Sequence, residues 1–338
     1  MDDLPGSSDT PFGRLVHTAR GIPRAASSAT VRHMRRWEGV LVLGTTLACW
    51  SSVSLFLKHL SDYMDHWTSN GWRYGASALF WLPAVVWALT RGTLPRSIWR
   101  AALVPAIFNT AGQVVFTSAH YFVSPGVVTF GLRVQVVAVA IGAYLLFPKE
   151  RALIRKPLYL TGLVILLAGV AVVVAGGDEL LNDASRTGVW MSISAGIGFA
   201  LYGLSVRRFM YGYHPIYAFG VIALYTGSAL VVCMLIWGEN HGAAVLHLQS
   251  AELWHLGLSA FLGIALGHVL YYTAIDRLGV ATTAGVLQLQ PFIVSVASVL
   301  LFGITLTALQ WSGGVVALIG AAFLLLTQRA MERRARAG

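Results

Sequence analysis

The sequence predicts an all-α integral membrane protein: ten transmembrane helices arranged as two inverted five-helix repeats. Three observations support this fold class. Of the 338 residues, 56% are hydrophobic and 11% charged, against about 25% charged in a typical soluble domain, and the mean hydropathy is +0.67. Ten apolar runs each approach the roughly 20 residues that a helix needs to cross the hydrocarbon core. The chain also repeats itself at a fixed interval.

The internal repeat is clearest between residues 109–147 and 264–302, which align without a gap at an offset of 155 positions. Polar side chains fall at matching depths in the two copies. Because each copy has an odd number of helices, the second copy must sit upside down relative to the first. Inverted repeats of this kind place a binding site near the midplane, between the two halves.

The predicted helices follow one another with short connections. They cover, in order, residues 39–59, 67–90, 98–121, 125–147, 157–176, 188–206, 215–237, 253–275, 280–302 and 307–327. The two repeats are predicted to occupy residues 37–178 and 186–328. Residues 1–36 carry six Arg among Ser, Pro and Gly, and we expect a disordered cytoplasmic tail there, with an interfacial basic helix as the alternative. Residues 329–338 form a second basic tail.

The distribution of charge predicts the orientation. With the N-terminus inside, 20 of the 24 Lys and Arg residues fall on the inner side, whereas only Lys58 and Arg186 lie outside. This bias places both termini in the cytoplasm of a multi-pass inner (plasma) membrane protein. The net charge of +10 therefore reflects contact with the lipid bilayer, and we expect no nucleic-acid partner.

Several short motifs resemble a known family. Trp50-Ser-Ser in the first helix, Arg73 in the second and the segment 147–150 (Phe-Pro-Lys-Glu) after the fourth, together with the five-plus-five duplication, resemble the drug/metabolite transporter superfamily. The closer resemblance is to its ten-helix EamA-type branch. It implies secondary transport of a small metabolite and favours export. The ninth helix has Pro291 where this family commonly has a proline, whereas the fourth helix has Val136 at the matching position.

Arg133 is the most informative candidate side chain. It lies about eight residues inside the fourth helix, roughly 12 Å below the outer end. A central Arg costs about 2.5 kcal/mol or more to insert, so it should face protein or water. No Asp or Glu remains within the predicted helices to neutralise it. We predict that Arg133, with Thr129 one turn away, binds a carboxylate or phosphate of the substrate; the alternative is a bond to helix-end carbonyls.

Arg73 lies only six residues into the second helix. At that depth a long side chain can snorkel to the outer surface, where Asp65 or Asp62 could pair with it. The alternative to this structural role is a part in substrate access.

Polar faces on the third and eighth helices predict the walls of a wet cavity. Asn109 and Gln113 are four residues apart and so share one helix face. His268 and Tyr272 occupy the related depth in the eighth helix, and His268 could also carry a proton. The alternative for these groups is hydrogen bonding between helices.

Two further features complete the predicted site. Gln288 lies near Pro291, which removes a backbone donor and frees a carbonyl, so we predict a gate at this proline, with a packing kink as the alternative. Trp50 and Tyr202 are predicted to line an aromatic part of the cavity. The cysteines and histidines show no metal-ligand spacing, and we expect neither a metal nor a cofactor.

The sequence thus predicts a secondary transporter, an exporter or exchanger, rather than an enzyme. The expected substrate is a small anionic or zwitterionic metabolite, such as an amino acid or organic acid, moved by alternating access. One alternative is an exporter of cationic or apolar drug-like compounds. Others are a membrane-embedded lipid-modifying enzyme and a non-transporting receptor or scaffold. The sequence has no Walker A motif for ATP hydrolysis, and a homodimer is left open.

Overall fold

The computed structural model describes residues 28–177, 182–278 and 280–337, and these ranges are helical apart from short connections. The first repeat contains α1 (Ser28–Leu60), α2 (His66–Thr90), α3 (Ser97–Ala119), α4 (Pro125–Gly131), α5 (Val134–Leu146) and α6 (Pro157–Ala175). A 3-10 turn (Pro148–Glu150) and a one-turn helix (Arg151–Ile154) connect α5 to α6. The helices α4 and α5 are two segments of the fourth predicted span.

The second repeat begins with α7 (Asp183–Phe209) and α8 (Pro215–Trp237), followed by a 3-10 segment (Glu239–His247). The eighth span is one continuous helix in three parts: α9 (Ser250–Leu258), a π-helical segment (Ser259–Leu266) and α10 (Gly267–Leu278). The ninth span consists of α11 (Val280–Leu287) and α12 (Gln290–Phe302), and α13 (Ala308–Ala337) is the tenth.

Nine helices within the described ranges are long and apolar enough to cross a membrane. The remaining predicted span is α2, which at 25 residues is about 37 Å long and therefore long enough. Asn70, Arg73 and Ser77 lower its mean hydropathy, and all three are buried within the protein. The prediction of an all-α membrane protein with two five-helix repeats is confirmed.

The first and the last helix both extend beyond the predicted spans, into the segments predicted as basic tails. The helix α1 begins at Ser28, so the last nine residues of the segment predicted as a tail are helical. No Pro or Gly interrupts residues 28–36, and the helix therefore continues out of the membrane. Likewise α13 runs to Ala337. Residues 1–27 of the predicted tail lie outside the described residues.

The two repeats pack against each other in matched pairs. Across the interface α6 packs on α13, α2 on α8 and α4 on α12. The packing of α3 on α7 is mirrored by that of α1 on the eighth span. When the repeats are exchanged, the contacts of α6 with α13 and of α2 with α8 map onto themselves, and the contact of α3 with α7 maps onto that of α1 with the eighth span.

The helices α6 and α13, which belong to different repeats, approach each other closely along their backbones. A Cβ added to Gly169 would lie 2.2 Å from the backbone nitrogen of Ala317, and one added to Gly320 would lie 2.4 Å from that of Leu166. Glycines at such positions let membrane helices touch along their backbones and gain van der Waals contact.

The fourth and ninth spans are both broken, and the breaks occupy equivalent positions of the repeat. The helices α4 and α5 are separated by Leu132 and Arg133, and α11 and α12 by Gln288 and Leu289. Each break lies about seven or eight residues, roughly 10–12 Å, from the end at which its span begins. Because the repeats are inverted, the two spans begin at opposite ends of the bundle, and the two breaks meet near its middle.

Candidate functional site

The guanidinium of Arg133 joins the two broken helices. Its Nη2 donates to Oε1 of Gln290 at 2.8 Å, and its Nη1 donates to the Leu287 carbonyl at 3.4 Å. Its Nε donates to the Thr129 carbonyl of its own repeat at 3.2 Å. Arg133 therefore binds the last carbonyl of α11 and the first side chain of α12, which is the helix-end bonding expected as its structural alternative.

Gln290 extends this connection to the first helix. It is 8% exposed, and its Nε2 donates to the Trp50 carbonyl in α1 at 3.0 Å. Arg133, Gln290 and the Trp50 backbone thus form one hydrogen-bonded bridge from the first repeat into the second and back. Gln290 was missing from the predicted substrate residues, although its identity with Gln135 in the repeat is a signal that could have found it.

An aromatic cluster lies beside this bridge. The ring of Trp50 lies 5.6 Å from His268 and 4.9 Å from Tyr271, and His268 stacks on Phe219 at 4.5 Å. A Cβ on Gly267 would lie 2.5 Å from the indole nitrogen of Trp50, so only glycine allows this approach. The structure therefore brings together Trp50 and His268, two of the predicted site residues, and it adds Phe219, which the sequence analysis missed.

The space around Arg133 is almost closed in this conformation. Arg133, Gln288 and Pro291 enclose a cavity of ≈ 10 Å³ with apolar side chains of α4, α6, α12 and α13, which is about one water position. Pro291 lies in the first turn of α12, one to two residues after the break. Since α4 and α5 are separated without any proline, the break in the ninth span does not depend on Pro291 alone.

Four other predicted residues lie away from this centre or in self-contained bonds. Asn109 is buried and donates to Oγ1 of Thr226 at 3.1 Å, so it forms the interhelical bond expected as its alternative. Thr129 donates to carbonyls of its own helix. Tyr202 packs in the apolar cluster between α2, α3, α7 and α8, and Gln113 is half-buried in α3. The side chain of Tyr272 lies outside the described residues.

Arg73 does not reach the outer surface, and the prediction that it snorkels is wrong. Its side chain is 1% exposed, and its Nε donates to Oγ of Ser259 at 2.7 Å. Asp65 instead caps the N-terminus of α2, and Asp62 pairs with Lys58 at 3.7 Å. Both carboxylates are therefore occupied, and the guanidinium turns inward to the first residue of the π-helical segment.

The described residues contain no group of three or more His, Cys, Asp or Glu side chains that could hold a metal ion. Cys49 is buried and Cys233 half-buried, and both are free thiols. The described residues around Arg133 offer its guanidinium, amide side chains and aromatic rings. Such groups can bind and orient a small molecule.

A membrane bundle of two inverted repeats, with broken helices that meet at its centre, has the architecture of a secondary transporter. The sequence model of the EamA-like transporter family matches the chain twice, at residues 37–175 and 186–326. The chain therefore belongs to the EamA-like transporter family, and its relatives are transporters of the drug/metabolite type.

Comparison with solved structures supports the fold. A crystal structure described only as that of a protein is similar, with a TM-score of 0.59 and 14% sequence identity. The match covers 86% of this chain and 98% of the other. No curated protein matches the sequence.

Proposed function

We propose that this protein is a secondary transporter, working as an exporter or exchanger, for a small anionic or zwitterionic metabolite such as an amino acid or an organic acid. It acts in the inner membrane, with both termini in the cytoplasm, by alternating access. The observation that carries this proposal is the position of the Arg133 guanidinium, which touches both repeats where the broken helices meet.

The charge of Arg133 favours an anionic group on the substrate. A guanidinium stays protonated under all physiological conditions, and no carboxylate pairs with it among the described residues. Three of its five N–H donors are used, which leaves two for a ligand. A substrate carboxylate would supply the missing opposite charge with bidentate geometry.

The helix ends at the site also favour an anionic group on the substrate. Arg133 covers the C-terminal carbonyls of α4 and α11 through its bonds to Thr129 and Leu287. The N-termini of α5 and α12, which begin at Val134 and Gln290, have no side-chain cap. Half-helix N-termini carry partial positive charge and commonly face anionic substrate groups in transporters.

The aromatic cluster favours a second candidate, the export of cationic or planar apolar compounds. Trp50, Tyr271 and Phe219 offer ring faces beside the bridge, and such faces attract organic cations. The two candidates differ in the dependence of ligand binding on Arg133.

Thermal unfolding of the purified protein separates these functions. We would add an organic-acid pool (succinate, citrate, lactate), an L-amino-acid pool or a cation pool (tetraphenylphosphonium, ethidium) to wild type, Arg133→Gln and Arg277→Gln. Arg277 is the matched control, because it forms a partly exposed ion pair with Glu38. A ligand at a hundredfold excess over Kd stabilises by about 2.7 kcal/mol.

We expect the acid or amino-acid pool to raise the Tm of wild type and Arg277→Gln but not that of Arg133→Gln. Uptake of the same compounds into proteoliposomes then demonstrates transport. If only the cation pool stabilises all three proteins, the anionic-substrate proposal is refuted and the second candidate stands. Conversion of a lipid without uptake would indicate a membrane-embedded enzyme.

A further inference from the structure

The bridge at the centre of the protein is one-sided. Arg133 of the first repeat binds Leu287 and Gln290 of the second. The repeat, at its offset of 155, makes Gln288 the counterpart of Arg133 and Gln135 the counterpart of Gln290. Leu287 likewise corresponds to another leucine, Leu132. The chain therefore contains the parts of a second bridge, related to the first by exchange of the repeats.

Arg133 and Gln288 make the same hydrogen bond within their own spans. The side chain of Arg133 bonds the carbonyl of Thr129 four residues earlier, and Gln288 bonds the carbonyl of Ala284, also four residues earlier, at 3.4 Å. Arg133 and Gln288 also line the same central cavity. Only the bonds that cross between the repeats differ, because Gln288 makes no hydrogen bond to the first repeat within the described residues.

The inverted repeats offer a physical reason why only one of the two possible bridges is formed. In a transporter built from two inverted copies, alternating access moves one copy against the other around a fixed site, and an exchange of conformation between the copies would turn that site to the other side of the membrane. The contacts made by one copy are then made by its counterpart. The half-buried Gln135 lies three residues beyond the Leu132 carbonyl, in the same relation that Gln290 has to Leu287.

We propose that Gln288 binds Gln135 and the Leu132 carbonyl in the state in which the two repeats have exchanged their conformations, and that Arg133 then leaves Gln290 and is free to bind the anionic group of the substrate. This inference rests on the proposed function. It makes Gln135, Gln288 and Gln290 parts of the transport cycle, with Gln290 competing against the substrate for Arg133.

The difference in strength between the two bridges couples substrate binding to the conformational change. A guanidinium forms stronger, charge-assisted hydrogen bonds than an amide does, so the empty transporter favours the Arg133 bridge. A ligand shifts such an equilibrium only through its different affinity for the two states. A substrate carboxylate supplies that difference, because it replaces Leu287 and Gln290 as the partner of Arg133. The loaded carrier therefore crosses more readily than the empty one.

The test uses Gln290→Ala, Gln135→Ala and a control, Gln328→Ala, near the inner end of α13. Distances between spin labels would be measured by pulsed EPR without ligand, in a background with both native cysteines replaced. One label pair reports the outer side and the other the inner side. The labelled positions are Phe122 and Leu246 outside, and Lys156 and Tyr211 inside; all four are exposed.

We expect Gln290→Ala and Gln135→Ala to move the label distances in opposite directions, and Gln328→Ala to leave them unchanged. Gln290→Ala releases Arg133, so it should also strengthen binding of the stabilising acid or amino-acid pool about three- to tenfold, while Gln135→Ala should weaken it. If both variants shift the distances alike, or neither does, while Arg133→Gln still abolishes binding, this inference is refuted and the proposed function stands. If Arg133→Gln binds the acid or amino-acid pool as well as the wild type does, the proposed function itself is refuted.

Discussion

The backbone contact between α6 and α13 makes the substitution Gly169→Ala a sharp test of how the repeats are joined. The added methyl carbon would lie 2.2 Å from the nitrogen and 2.7 Å from the Cα of Ala317, and 2.6 Å from the carbonyl of Gly313. All three neighbours are backbone atoms, so no side chain can rotate away. The two helices must separate by about 1 Å to restore ordinary contact.

The expected cost follows from overpacking. Inserting one methylene equivalent into a well-packed interface costs about 1–3 kcal/mol, and separation of the helices also weakens the neighbouring contact of Gly320 with Leu166. The control is Gly203→Ala in α7, where the added carbon would have no neighbour within 4 Å. There the same change removes backbone freedom and stabilises a helix by about 0.5–1 kcal/mol.

The assay is thermal unfolding in detergent, with the two variants compared at equal lipid content. Gly169→Ala should unfold below wild type and Gly203→Ala at or slightly above it. If both variants unfold at the same temperature, the close approach of α6 and α13 is absent, and the account of how the repeats are joined fails.

Three further predictions follow from individual contacts. Arg133→Lys should retain part of the ligand-induced stabilisation that Arg133→Gln loses, because an ammonium keeps the charge but not the bidentate geometry. Measuring Tm against ligand concentration checks this prediction. Equal loss of stabilisation in Arg133→Lys and Arg133→Gln would contradict it. Ser259→Ala should lower the stability of the fold by about 1–3 kcal/mol, because it leaves Nε of the buried Arg73 unpaired. Adding Arg73→Met should recover stability, because it removes the unpaired charge. A double variant that is no more stable than Ser259→Ala argues against this account. Burial raises the pKa of Asp65, but hydrogen bonds from Thr68 and from the Glu239 and Trp67 N–H groups outweigh it, so its pKa is lowered. Its stabilisation is therefore complete above its unfolded pKa of about 3.9 and is lost as the pH falls through the folded value. Asp65→Asn should flatten the dependence of Tm on pH below about 4, and unchanged acid sensitivity would show that the cap is not its source.

The sequence was sufficient for the membrane fold because hydropathy and charge bias act on whole helices. Residues 215–237, predicted as one span, are the helix α8 without a difference at either end. The internal repeat also placed Arg133 opposite Gln288, and these two residues line one cavity. These predictions depend on patterns that the bilayer imposes on every spanning segment.

The details of the site depend on side-chain partners, which a single sequence does not specify. Pro291 pointed to a break in the ninth span, but the equivalent break before α5 has no proline and was missed. Arg73 was placed at the surface from its depth alone, whereas Ser259, 186 positions away, takes its Nε. The role of Gln290 became visible only when α1 and α4 were placed beside it.

The π-helical segment between α9 and α10 determines which way its two ends face. Ser259 contacts Arg73, and nine residues later His268 stacks on Phe219. In an α-helix, 100° per residue would put these two side chains half a turn apart. The wider i→i+5 winding, at roughly 80° per residue, brings them back to nearly the same side. Ordinary α-helical winding over the same nine steps would turn either the serine or the histidine away from its partner.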